Sequence, residues 1–159
     1  MMTSMLPPDI PKNFVEKQTA VILDSYRHWT GRELLPLSSA GTDLPTALFF
    51  APFVVVASNS AADPILNYGN AQGLKLWEMS WKQLTQTPGR HTAEAMHRDE
   101  RQKFLDTVQK KGFIDNYSGI RISSTGHRFK IERATVWNLI DEDLRPIGQA
   151  ATFSSWYYL

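Results

Sequence analysis

Cysteine is absent from this 159-residue chain, and that one absence removes disulfides, thiolate nucleophiles and cysteine-ligated metal sites together. A chain without thiols suits a reducing compartment, so a cytoplasmic location is expected. Charge of one sign is missing too. The 17 Lys and Arg stand against 16 Asp and Glu, for a net charge of +1, which gives no electrostatic reason to expect binding to nucleic acid or to an anionic membrane. Long apolar runs are also lacking: the longest, Ala47 to Ala57, is broken by Pro52 and is about half the roughly 20 residues that a spanning helix needs. The first residues carry Asp9 and several prolines before Lys12, not a basic start leading into an apolar stretch, so no secretory signal is expected. No Gly-rich phosphate loop, His-rich metal motif or Gly-x-Ser-x-Gly elbow occurs.

What is present suits one globular domain, because 42% hydrophobic against 21% charged residues is enough for a core at this length. Lys12 to Thr30 follows a helical pattern, with Phe14, Val15, Ile22, Tyr26 and Trp29 on one stripe and Gly31 as a stop. Glu33 to Pro45 is rich in Ser, Pro, Gly and Thr and reads as a linker. The chain is thereby divided into a flanking helix and linker over residues 1–45 and a main domain over 46–159. Phe53 to Ser58 has the composition of a strand buried on both faces. A short strand is predicted at Ile65 to Tyr68, then two short helices at Ala71 to Trp77 and Ser80 to Leu84, and a longer helix from about Met96 to Val108.

Three β-patterned stretches follow between Gly112 and Trp156: GFIDNYSGIRI, RFKIERATVWNLI and PIGQAATFSSW. The first break, Ser123 to Gly126, sets hydroxylic residues before a glycine able to take a positive φ, which is hairpin chemistry. The second, Asp141 to Pro146, is acidic and ends in a proline that fits the first residue of a strand. An antiparallel meander is therefore expected, with no effector domain after it. Arg128 to Leu139 carries apolar residues in both parities, Phe129, Ile131 and Trp137 in one and Ala134 and Val136 in the other. Both faces of the sheet should then be covered, the outer one by the helix of Lys12 to Thr30.

Motifs with chemical potential have plain readings. His91 and His97 lie on a charged stretch beside Arg98 and Asp99, and His28 and His127 are expected at the surface. Asp141, Glu142 and Asp143 read as a solvated turn, because consecutive residues project in different directions. Asp99-Glu100-Arg101 and Lys110-Lys111 read as a wet helix face carrying both signs. No metal site and no catalytic residue is expected, since no nucleophile or poised acid-base pair with an orienting partner can be assembled from neighbouring positions.

The stretch DPILNYGNAQGLKLWEMSWKQL resembles the strand, Asn-initiated helix and following helical turn of PAS domains, and ISSTGHRFKIERATVWNLIDEDLRPIG resembles their last hairpins. More narrowly, NYSGIRISSTGHRF, VWNLIDED and GQAATFSSW, in that order, look like the MEKHLA domain. This is a PAS-related family found alone in bacteria and at the C-terminus of certain plant homeodomain-zipper proteins. The resemblance runs from about Phe14 to Trp156. The string that gives the family its name is absent, and Leu144 stands where PAS-like hairpins usually carry glycine.

The resemblance implies an α+β fold, a PAS-like five-stranded antiparallel sheet of order 2-1-5-4-3 with helices on one face around a cavity and an N-terminal flanking helix. It places Trp77, Met79, Trp81, Met96, Phe104, Phe129 and Phe153 at the border of that cavity, with Tyr117, Arg121, Asn138 and Gln149 as polar candidates on neighbouring strands. An arginine buried there needs an anionic partner, a carboxylate side chain or a ligand, because an unpaired buried charge is very costly. Flanking helices of PAS-like proteins often form dimer contacts, so a homodimer through the N-terminal helix and the outer sheet face is expected. Light-sensing PAS relatives join flavin to a cysteine thiol, chemistry closed to this chain. The sequence specifies no cofactor. The expectation is a non-enzymatic sensory or interaction domain that binds a small apolar or aromatic molecule and signals through dimerisation or a partner protein. Its rivals are a cone-shaped α+β enzyme with an acid-base residue in the pocket and a structural dimer module with a filled core.

Overall fold

The computed structural model describes residues 6–36 and 43–159, so residues 37–42 of the expected linker lie outside it. Helix α1 spans Lys12–Thr30 and closes at Gly31, whose N–H donates to the Arg27 carbonyl. Its buried positions Val15, Thr19, Ile22 and Tyr26 are spaced four, three and four apart, and Phe14 falls one place off that line and is 38% exposed. Helix α2, Leu44–Phe49, replaces part of the expected linker and of the apolar run. Pro45 lies in its first turn, where the missing N–H has no intrahelical partner to lose, so the proline starts this helix and does not break it.

Strands β1 (Val54–Asn59) and β2 (Leu66–Gly69) precede helices α3 (Ala71–Trp77) and α4 (Trp81–Leu84), a 3-10 turn at Gly89–Thr92 and helix α5 (Ala95–Lys111). Strands β3 (Phe113–Ile122), β4 (Arg128–Ile140), β5 (Pro146–Phe153) and β6 (Ser155–Tyr158) follow. The strands pair antiparallel in the order β2-β1-β5-β4-β3, with β6 pairing β4 off this path. The expected order 2-1-5-4-3 is therefore present, with a sixth strand added. That strand continues the register of β5: Thr135 faces Thr152 and Glu132 faces Ser155. The single stretch read from Pro146 to Trp156 is thus interrupted at Ser154, opposite Arg133.

Arg133 explains both the interruption and a correction to the strand parity. Its φ of 53° lies in the left-handed region, so β4 is kinked there and the alternation of faces slips by one. Phe129 and Ile131 consequently pack with Ala134 on one face, whereas Trp137 and Leu139 join α1 on the other. Two-sided burial holds, with the residues regrouped.

α1 covers the outer face. Tyr26 meets Trp137 edge to face at 5.0 Å, the Trp29 indole N–H donates to the Asn138 carbonyl at 2.9 Å, and Ser25 Oγ accepts from Ile140 N–H at 3.0 Å. On the other side, Asn70 ties the first strands to α3. Its Oδ1 accepts from the N–H groups of Val55 and Gly73, and its Nδ2 donates to the carbonyls of Leu48 and Phe53. At the two last hairpins Gly126 has a φ of 90°, as its turn requires, and Leu144 adopts the same left-handed region with a φ of 63°.

Candidate functional site

The inner face of the sheet and helices α3 and α5 enclose a cavity of 80 Å³. Val56, Leu66, Trp77, Leu105, Ile131, Val136, Ala151 and Phe153 make its apolar wall, and Thr92, Tyr117, Arg101 and Arg121 its polar part. The polar part borders two further spaces. One is a 230 Å³ crevice outside β3, lined by His97, Glu100, Lys130 and the stretch from Tyr117 to Arg121. The other is a 410 Å³ cleft between α5 and the β1–β2 loop, lined among others by Asp63, Arg90, Asp106, Asn138 and Gln149. Arg101 lines all three.

β3 aims Arg121 inward, where it is 8% exposed. Its Nη1 donates to the Ile120 carbonyl at 2.8 Å and its Nη2 to the Tyr117 hydroxyl at 3.1 Å. Its guanidinium also lies 5.6 Å from the centre of the Tyr117 ring, which stacks on Phe104 of α5 at 3.7 Å. Among the described residues no carboxylate pairs with Arg121. Arg101 is half-buried on α5 and makes no hydrogen bond or ion pair with a described residue. Burial, then the charge of Arg121, pushes its guanidinium down from 12.5 to about 10, against the pull of Tyr117. Both arginines face glycines: a Cβ on Gly89 would lie 2.9 Å from Arg101 Nη2, and one on Gly119 2.8 Å from Arg121 Nη1. The indole N–H of Trp77, a residue 3% exposed, has no hydrogen-bond partner.

The structure gathers Trp77, Phe153, Tyr117 and Arg121 at the cavity. Asn138 and Gln149 line the larger cleft, where their amides serve the end of α5. Asn138 Nδ2 donates to the carbonyls of Val108 and Gln109, and Gln149 Nε2 to that of Leu105. Phe104 stands behind Tyr117, and Phe129 is fully buried against Trp77 at 5.2 Å. Met79 packs at the edge of the same cluster, while Trp81 lies edge-on to Tyr68 in the core beneath α1. Met96, expected at the cavity, is 76% exposed, because the inward stripe of α5 runs through Arg101, Leu105 and Val108. Arg101 is the residue that sequence reasoning missed. The charge run groups it with Asp99 and Glu100 as a wet face, yet its spacing of three, four and seven to Phe104, Leu105 and Val108 is the signal that it points inward.

The remaining polar clusters are bonded within the protein. Glu78 ends α3 and faces His127 Nδ1 at 2.8 Å, while Ser123 Oγ donates to its Oε2 at 2.6 Å. Ser123 thus donates to the carboxylate and not to the imidazole, and its Oγ accepts from the His127 backbone N–H at 3.0 Å. In the cleft, Asp63 pairs with Arg90 at 3.4 Å and Asp106 accepts from the Gln102 amide at 2.9 Å. Among the described residues no group of three or more His, Asp or Glu could hold a metal ion, and no helix is long and apolar enough to cross a membrane.

A five-stranded antiparallel sheet of this order with helices on its inner face defines the class of PAS-like folds. The chain is similar to the PAS domain of a protein from Colwellia psychrerythraea, with a TM-score of 0.59, 14% identity, and coverage of 71% of this chain and 91% of that one. It is similar also to an RNA-binding Light-Oxygen-Voltage receptor, with a TM-score of 0.60, 15% identity, and coverage of 75% and 34%. Within that class, the chain belongs to the MEKHLA domain family, whose model matches residues 16–158. Homeobox-leucine zipper protein ATHB-15 of Arabidopsis thaliana is 26% identical over 156 residues, 94% of this chain and 18% of the relative. ATHB-8 of the same plant is 27% identical over 143 residues, 87% and 17%. The chain spans less than a fifth of the length of these relatives. No thiol is available for a flavin adduct, and the cavity, at about 80 Å³, is smaller than the roughly 300–1,000 Å³ of ordinary cofactor pockets.

Proposed function

We propose that this chain is a non-enzymatic, cytoplasmic, PAS-like sensory or interaction domain. A small apolar or aromatic molecule enters the cavity between the sheet and helices α3 and α5, and its presence is passed on through dimerisation or a partner protein. The observation that carries this reading is the combination in one small cavity of an apolar wall with two guanidiniums, those of Arg101 and the buried Arg121, that pair with no carboxylate among the described residues. Buried polar groups in folded proteins nearly always have partners, and a ligand supplies them here. Self-association is supported by exposed apolar side chains on neighbouring elements, Phe14 of α1 and Leu44 and Phe50 at the two ends of α2.

Native mass spectrometry of the purified protein, followed by a thermal-shift screen of apolar and aromatic compounds, tests this. A retained small molecule, or a compound that raises the melting temperature, is the expected result; saturation at a hundred times Kd corresponds to about 2.7 kcal/mol. No bound mass, no hit and a crystal structure with a filled interior would overturn it. So would turnover of a carbonyl or ester substrate that disappears when Asp106 or His97 is replaced.

A further inference from the structure

We propose that the molecule taken by this cavity is an aromatic acid, its carboxylate held between the guanidiniums of Arg101 and Arg121 and its ring in the apolar part beside Trp77, Leu105 and Phe153. The proposal rests on the reading of the cavity as a ligand site and adds the charge and shape of the ligand.

Two cations line one wall with no anion between them. Arg121 is almost completely buried and has five N–H donors, of which two are used, on the Ile120 carbonyl and the Tyr117 hydroxyl. Neither acceptor carries charge. Arg101 uses none of its donors on a described residue. Like charges brought together away from water destabilise one another, and the fall of Arg101 toward 10, caused by burial and by Arg121, has the same origin. The other titratable groups of this region are His97, Glu100 and Lys130 of the outer crevice and Asp63, Arg90 and Asp106 of the cleft; Asp63 pairs with Arg90, Asp106 accepts from Gln102, Glu100 is exposed, and none of the three carboxylates pairs with either arginine. An incoming anion therefore neutralises a pair that the protein leaves unpaired.

The surroundings select among anions. Guanidinium forks match the planar carboxylate with parallel hydrogen bonds. Directly beyond them the wall turns apolar, and at 80 Å³ the space suits a group of about one ring in size. Both guanidiniums lie against glycines: a Cβ on Gly89 would lie 2.9 Å from Arg101 Nη2, and one on Gly119 2.5 Å from the Tyr117 hydroxyl and 2.8 Å from Arg121 Nη1.

The test uses the full chain with benzoate and phenylacetate, their neutral amides benzamide and phenylacetamide, and inorganic phosphate, followed by calorimetry and thermal shift. The acids are expected to bind at least about tenfold more tightly than the amides. Arg101→Gln and Arg121→Gln should each weaken acid binding by about 10- to 100-fold, the loss of a charge-assisted hydrogen bond, with amide binding unchanged. Arg145→Gln, in the β4–β5 turn, should leave acid binding as in the wild type. A readout without ligand accompanies these: Arg101→Gln should melt at or above the wild-type temperature, because it removes a repulsion.

A lower melting temperature for that variant would mean that Arg101 has a partner within the protein, and would overturn the proposal. Equal binding of acids and amides would overturn it while leaving the cavity as a ligand site. Binding of neither class would overturn the aromatic-acid assignment, and the ligand-site reading falls with it only where native mass spectrometry and the wider screen also find nothing. Phosphate binding as tightly as the acids would show an anion site that makes no use of the apolar wall, and would overturn the aromatic assignment.

Discussion

Glu78 takes a left-handed conformation at the end of α3, with a φ of 56°, and turns its carboxylate onto the β3–β4 hairpin. Hydrogen bonds from Ser123, Thr125 and His127 hold that carboxyl at about 2, below its ordinary value of 4.5. Because the folded state binds this proton less readily than the unfolded chain, the contribution of Glu78 to stability is complete above about pH 4.5 and is lost as the pH falls toward 2. Glu78→Gln should therefore flatten the acid limb. The wild-type melting temperature should fall faster than that of the variant between pH 4.5 and 2, and parallel curves would refute the assignment. The turn itself was legible from its hydroxyls and Gly126, whereas its anchor, 45 residues earlier, was not, since nothing local marks such a pairing. Arg101 was hidden for the opposite reason: its neighbours Asp99 and Glu100 are wet, and a charge run masks one member that belongs to the apolar stripe.

Among the elements, α1, α3 and the hairpin strands could be read because their periods, caps and turn residues agree. Strand β4 shows where period alone stops. Its two parities were recognised, but the left-handed Arg133 moves Phe129 and Ile131 to the face of Ala134, and no residue preference for that conformation announces it. Helix α2 was missed because Pro45 reads as a breaker unless it is known to occupy a first turn. Gly112 measures how firmly α1 is seated: it closes α5 with a φ of 96°, and a Cβ there would lie 2.4 Å from the Trp29 ring. Gly112→Ala should cost about 2–4 kcal/mol in urea unfolding, combining left-handed strain with displacement of Trp29. Gly126→Ala supplies the comparison, because its φ is 90° but no atom lies within 4 Å, so about 1–2 kcal/mol of backbone strain is expected alone. Equal losses would mean that Trp29 does not bear on Gly112.

For the molecule as a whole, α1 acts as the cover of a sheet whose outer face carries Val55, Ala57, Trp137, Leu139 and Ala150. Deleting residues 1–32 should expose that face and lead to aggregation or a changed oligomeric state, read by light scattering. A truncated chain that stays dispersed, with unchanged mass and melting temperature, would show that α1 is dispensable. The inner face is closed in a different manner. Of the described side chains of α5, Val108 alone is fully buried, and the helix is otherwise fastened by the Asn138 and Gln149 amides near its end, by Arg98 on the carbonyls of Arg90 and Ala93, and by the stack of Phe104 on Tyr117. A wall fastened by hydrogen bonds and one ring pair opens locally at a far smaller free energy than the whole domain unfolds. Opening of the cavity is thereby uncoupled from global stability: the sheet and α1 set how long the domain lasts, and α5 sets how quickly the cavity opens.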